Sequence, residues 1–249
     1  MSRAYLARVL PTYIENWAPA LYALSIPQLA LPLSVEEARS LEARLWCREG
    51  RLGTGAAPPI ELLSRRLEEA IRCFPGGAFV RLGSRSGKDS ILARTCGLRV
   101  ETGESALRLL CAGSERVAFD LRLALRHGYS PYLFVRQWLD IPPWAEFRCF
   151  MKGRRLIGIT QYDCRNLGHC PEISRNADTI EQAIHSFFPR FVAVSHLDDV
   201  VWDVFVEGIG TGTAPVVRLL ELNPFFPKTD PVLFDWMNPE CFDGSFRFL

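Results

Sequence analysis

No stretch of this sequence stays apolar for the roughly 20 residues that a membrane-spanning helix needs, and no segment repeats or falls into low complexity. Charge imbalance is missing too. The chain has 29 Lys and Arg against 28 Asp and Glu, a formal net charge of +1. No global field therefore draws it to nucleic acid or to an anionic membrane, and any basic site must be local. No secretory signal pattern opens the chain at Met1-Ser2-Arg3-Ala4-Tyr5. Without one, the eight cysteines are expected to be reduced, mostly buried thiols of a cytosolic protein. The tight paired spacing of a zinc site is absent as well: Cys164, His169 and Cys170 follow a Cys-x5-Cys pattern with one adjacent His and no second pair, and are not read as metal ligands. What is present, 48% apolar and 23% charged residues, is ordinary for a soluble globular chain. At this length it needs neither disulfide nor metal to fold.

Turn and cap signals divide the chain. The first thirty residues read as a helix and an extended arm. Ser34-Val35-Glu36-Glu37 is a capping box opening a helix with apolar positions Ala38, Leu41, Leu45 and Trp46, ended by Gly50 and Gly53. After a loop at Gly55-Ala56-Ala57-Pro58-Pro59, Pro59 starts a second amphipathic helix through Leu62, Leu63, Leu67, Ala70 and Ile71, stopped by Pro75 and Gly76. Ala78 to Leu82 reads as a strand, Ser105 to His127 as helix broken at Gly113, and Tyr132 to Trp138 as a strand. Glu146 to Met151 and Arg155 to Thr160 form a hairpin about Lys152-Gly153-Arg154, and Thr179 to Phe188 a short helix. Strands that return as hairpins predict antiparallel sheet with helices, an α+β fold rather than a doubly wound one.

The residues with the most chemical content lie near the end. In Leu219-Leu220-Glu221-Leu222-Asn223-Pro224-Phe225, strand alternation puts Glu221 and Asn223 on one face and Leu220 and Leu222 on the other. Asp203 interrupts a second apolar run, Val201 to Val206, and Gly208, Gly210 and Gly212 supply a connection. A turn centred on Gly212 places Asp203 opposite Glu221, so that Asp203, Glu221 and Asn223 converge as oxygen ligands for Mg²⁺, which shares its coordination with phosphates. The plainer reading is a hairpin with solvated polar positions. If these side chains face a cleft, Asp203→Ala and Glu221→Ala leave the core intact.

Basic residues supply the second constellation. Gly83-Ser84-Arg85-Ser86-Gly87-Lys88 follows a strand and suits phosphate oxygens, although its glycines are too close together for a P-loop. A solvated turn reads equally well. Arg81 and Arg148 sit mid-strand; Arg148 either pairs with Glu146 or grips an anion beside the metal. Arg136-Gln137-Trp138-Leu139-Asp140 runs into Ile141-Pro142-Pro143-Trp144. Its backbone could meet an adenine edge and Asp140 ribose hydroxyls, or Trp138 simply packs.

In this order, Val135 to Asp140, Glu146-Phe147-Arg148-Cys149-Phe150, Leu156 to Gln161, Trp202-Asp203-Val204 and Glu221-Leu222-Asn223-Pro224-Phe225 resemble the cell division cycle protein 123 family, over about Trp17 to Trp236. The resemblance implies an ATP-grasp fold binding ATP and Mg²⁺ between two lobes: residues 1–130, helical with the basic loop, and 131–249, with the metal-binding hairpin. It implies phosphate contacts from Arg81, Lys88 and Arg148, an adenine hinge at Arg136, Gln137, Trp138 and Leu139 followed by Asp140, and Asp203, Glu221 and Asn223 as metal ligands. Arg81 stands where the family has Lys, and Glu221 where many members have Asp. Eukaryotic members of the family help assemble translation initiation factor 2 by binding its gamma subunit. The resemblance therefore implies an ATP·Mg-binding factor acting with a protein partner, monomeric and cytoplasmic, with no nucleic acid or membrane partner. The alternative is an ATP-grasp ligase or phosphotransferase of unknown acceptor. Many ATP-grasp enzymes carry Arg just after the Asn, whereas here Pro224-Phe225-Phe226 stands there, which removes a charge an acyl phosphate would need.

Overall fold

The computed structural model describes residues 3–44 and 58–249. The expected apolar positions Leu45 and Trp46, the stop at Gly50 and Gly53, and Gly55 to Ala57 of the loop lie outside the described residues. In chain order the elements are α1 (Arg3–Val9), 3₁₀ turns as far as Leu24, β1 (Gln28–Pro32), α2 (Val35–Arg44), α3 (Pro58–Ile71), β2 (Ala78–Leu82), α4 (Ile91–Cys96), β3 (Arg99–Val100), α5 (Gly103–Leu110), α6 (Glu115–His127), β4 (Tyr132–Gln137), β5 (Glu146–Lys152), β6 (Arg155–Gln161), α7 (Cys164–Leu167), α8 (Pro171–Val194), β7 (Val200–Glu207), β8 (Val216–Pro224) and β9 (Phe246–Arg247). Helices beside largely antiparallel sheets make the fold α+β, as expected. Among the described residues no helix is long and apolar enough to cross a membrane.

The chain forms two compact units, Pro27–Leu139 and a discontinuous one made of Met1–Ile26 with Asp140–Leu249. The expected division at 130/131 therefore moves in two places. β4 is hydrogen-bonded between β1 and β2, so it belongs to the first sheet. The N-terminal residues instead join the C-terminal part: Ser25 bridges β8 at Leu219 and its hydroxyl donates to Leu219 O at 2.7 Å.

In the Pro27–Leu139 unit the sheet order is β1-β4-β2-β3, antiparallel throughout. Local chemistry sets its helices. Ser34 Oγ accepts from Glu37 N at 3.1 Å while Glu37 Oε2 accepts from Ser34 N at 2.7 Å, the reciprocal box read from the sequence. Gly113 separates α5 from α6, and the Ser114 hydroxyl caps α6 by accepting from Val117 N at 3.1 Å. One sheet face, with Ala78, Val80, Leu82, Leu133 and Val135, packs into a core with Leu41, Leu63, Leu67, Leu107 and Leu121. Arg81 and Arg136 point to the other face, since side chains alternate along β2 and β4 and their register partners are Phe134 and Phe79.

The discontinuous unit carries the sheet β8-β7-β5-β6-β9, antiparallel except where β9 lies parallel to β6. One face packs on α8. Trp202 stacks on Phe187, Phe188 and Phe191, with the Phe191 ring centroid 4.5 Å away. This stack accounts for α8 running past its expected end at Phe188. It begins at Pro171, kinks at Asn176, whose side chain donates to Glu172 O, and continues past Pro189 to carry Phe191 onto Trp202. On the other face, residues after β8 fold back so that Phe234, Trp236 and Phe242 pack on Phe150.

Gly158 of β6 lies beneath that aromatic cluster. A Cβ there would stand 2.6 Å from Phe234 Cζ, and the Phe234 ring is itself held against Phe242 and Phe150. A rigid, packed ring cannot yield cheaply, so Gly158→Ala should destabilise the fold by about 1–3 kcal/mol. Chemical denaturation of the variant checks this, and an unchanged midpoint contradicts it.

Candidate functional site

Five residues in direct register cross the middle of the second sheet. Glu221 of β8 faces Asp203 of β7, Asp203 faces Arg148 of β5, Arg148 faces Thr160 of β6, and Thr160 faces Arg247 of β9. The pairing of Asp203 with Glu221 matches the sequence expectation but is reached by another route. The β7–β8 ladder runs regularly from Glu207↔Val216 to Val204↔Leu219 and, continued, would set Leu220 against Asp203. A bulge between Asp203 and Val204 shifts the register by one residue at Leu220 and brings Glu221 into line. It also breaks the expected alternation of Leu220 with Leu222. The two leucines of β8 that are fully buried are Leu219 and Leu222, opposite Val204 and Trp202.

Arg148 and Asp203 are both buried. Arg148 Nε donates to Asp203 Oδ1 and Nη2 to Oδ2, both at 2.8 Å, while Nη1 donates to Asp230 O at 2.8 Å. The guanidinium also lies over the Tyr162 ring, 4.9 Å from its centroid. Burial opposes the charge on Arg148, but Asp203, and after it Tyr162 and Glu221, hold its pKa above the ordinary value. Asn223 Nδ2 donates to Asp203 Oδ2 at 3.1 Å, which turns the amide oxygen of Asn223 away from that carboxylate. On the opposite face of the strand, burial raises the pKa of the Cys149 thiol well above its usual value.

These donors suit a hard cation. Asp203 Oδ2 accepts two N–H groups and Oδ1 one, which leaves Oδ1 room for a further bond. With a Glu221 carboxylate oxygen and the Asn223 amide oxygen, the set is all oxygen, the ligand type Mg²⁺ takes. Two carboxylates against one guanidinium leave a single net negative charge, too little to hold a dication tightly without phosphate. Among the described residues no three His, Cys, Asp or Glu side chains gather to hold a metal by themselves.

The remaining expected site residues lie in or beside the first unit. Arg81 and Arg136 are buried on the sheet face away from the helices, and Arg81 Nε donates to Leu82 O at 3.0 Å. Lys88 is exposed in the loop after β2. That loop is fastened to α6: Arg85 Nε is bonded to Asp120 Oδ2 at 2.5 Å, and Asp89 accepts from the Ser114 hydroxyl at 2.6 Å. Burial raises the pKa of Asp120, against the pull of Arg85. In the hinge, the N–H of Gln137 donates to Pro27 O and that of Trp138 to Gly77 O, so neither is open to an adenine edge. Asp140, exposed, begins the segment leading to β5.

Sequence reasoning missed Thr160, Tyr162, Asp230 and Arg247. The parity of Thr160 in its strand was a usable signal. Tyr162, two residues past Thr160, shares that parity, whereas Asp230 and Arg247 join the row through the fold-back after β8 and the parallel addition of β9, for which no local pattern exists. Cys164, His169 and Cys170 have separate contacts: His169 Nδ1 is 3.1 Å from Leu249 O, and Cys170 donates to Glu172 at 3.2 Å. Of the seven cysteines described, four are buried, and all are free thiols.

Comparison with known proteins identifies the family of the chain. The D123 family model matches residues 44–241. The translation initiation factor eIF2 assembly protein of Xenopus tropicalis is 31% identical over 201 residues, covering 77% of this chain and 58% of that protein. The protein of the same name from Danio rerio is 30% identical, covering 74% and 53%. The chain thus spans only a little over half the length of these relatives. The solved structure of Cdc123 from Schizosaccharomyces pombe superposes with a TM-score of 0.74 at 25% identity, over 93% of this chain and 90% of that one. The chain belongs to the D123 family, the cell division cycle protein 123 family that its sequence resembles.

Proposed function

We propose that the chain is an ATP-grasp protein that binds ATP with Mg²⁺ and acts with a protein partner, as an assembly factor. The observation that carries the nucleotide reading is the row Glu221–Asp203–Arg148 with Asn223 beside it, an oxygen-donor set of low net charge that needs phosphate to complete a Mg²⁺ site. In this reading Asp203, Glu221 and Asn223 hold the metal, and Arg81 and Lys88 offset phosphate charge. The hinge from Arg136 to Leu139 meets adenine, and Asp140 meets the ribose. Bound Mg²⁺ would neutralise polyphosphate charge. The partner reading is supported by the names of the relatives, eIF2 assembly proteins. In a cell that has initiation factor 2, its gamma subunit is the first partner to test. A monomer in the cytoplasm is part of the same reading.

The ligase alternative loses ground at one place. In Pro224-Phe225-Phe226, the segment that stands where many ATP-grasp enzymes carry Arg, Phe225 is packed against Trp236 with ring centroids 4.9 Å apart. Titration calorimetry tests the nucleotide reading: ATP should bind at least about tenfold more tightly with Mg²⁺ than in excess chelator, a difference near 1.4 kcal/mol. Equal affinity in both, or no binding in either, overturns it.

A further inference from the structure

Resting on that reading, we infer that Arg148 is a positioning residue: it does not touch the nucleotide but orients Asp203 towards the metal, and is itself held by the carbonyl of Asp230. A guanidinium has five N–H donors, and the fork that grips phosphate is a pair of them on one edge. Here the Nε/Nη2 fork already lies on both oxygens of Asp203, and Nη1 on Asp230 O. Three of the five donors are thereby used, and turning the Nε/Nη2 fork to a phosphate would leave the buried Asp203 without its partner. Arg148 and Asn223 fix the Asp203 carboxylate from two sides and leave Oδ1 as its available oxygen.

The third contact is equally constrained. The Asp230 carboxylate pairs with Arg165 and accepts from Val232 N at 3.0 Å, and Val232 has φ of 58°. That left-handed backbone is rare for a β-branched residue. Such a turn persists only where its surroundings hold it, and here it aims the Asp230 carbonyl at Arg148. Asp230 therefore acts on the metal ligand Asp203 through Arg148, without reaching it.

The experiment compares ATP affinity of the parent and Arg148→Lys, each with Mg²⁺ and in excess chelator. Lysine keeps the charge but cannot form the fork. A positioning role predicts metal-free affinity within about twofold of the parent and a Mg²⁺-dependent gain reduced about tenfold or more. A phosphate contact predicts the reverse split, with metal-free affinity falling. Either that split or an unchanged Mg²⁺-dependent gain in a folded variant overturns the proposal. If Arg148→Lys does not fold, the arginine Nε–H resonance of the unsubstituted chain decides the question. It should exchange slowly and stay in place on adding metal-free ATP, whereas a shift on that addition means phosphate contact and overturns the proposal. Failure of the unsubstituted chain to bind ATP·Mg²⁺ removes the functional reading itself, an outcome separate from either split.

Discussion

Asp203→Ala is expected to lower the unfolding free energy by about 3–5 kcal/mol, because it strands a buried guanidinium without its counter-charge. Glu221→Ala, from a half-buried position, should stay within about 1 kcal/mol of the parent. Both should weaken ATP·Mg²⁺ binding. From the sequence alone the two carboxylates are equivalent, and losing either spares the core. The structure separates them: Asp203 is 3% exposed and makes the two-pronged ion pair with Arg148 across neighbouring strands. Asp203→Asn should fall between the two, since one amide oxygen still accepts one prong while its NH₂ faces the guanidinium. Urea denaturation of the three variants orders them. A stable Asp203→Ala beside an equally stable Glu221→Ala would mean the ion pair adds nothing to the fold.

The parts of this site that could be read from the sequence are those fixed by short-range rules. Alternation and turn composition place Asp203, Glu221 and Asn223 on one hairpin, and the Ser34–Glu37 box sets a helix start, because each rule acts over a few residues. The bulge at Leu220 follows from no such rule. It is a one-residue offset that depends on how the whole ladder settles, yet it decides which residue faces Asp203. The partner of Arg148 was hidden for the same reason. Glu146, two residues away in sequence, is a plausible neighbour, whereas Asp203 becomes one only once β7 lies beside β5. Likewise the join of Met1–Ile26 to the distant C-terminal part depends on contacts such as Ser25 with Leu219, which no local pattern encodes.

Trp202, the residue before Asp203, should show the second large effect from the other face of the same strand. It is fully buried, and its ring lies over Phe191 at 4.5 Å with an interplanar angle of 16°, flanked by Phe187 and Phe188. Trp202→Ala should cost about 3–5 kcal/mol, the range for emptying a large aromatic site. Trp202→Phe should cost far less than the lost volume suggests, under about 1.5 kcal/mol, for two reasons. Phenylalanine keeps the stack, and the indole N–H that it removes is buried with no acceptor among the described residues, so its loss relieves a desolvation penalty. The Trp202→Phe variant then separates anchoring of the strand from chemistry on it. The row Glu221–Asp203–Arg148 lies on the opposite face and keeps every contact, so Mg²⁺-dependent ATP binding should match the parent. Loss of that binding in a stable Trp202→Phe would show that the α8 stack sets the position of Asp203 more finely than its ion pair does.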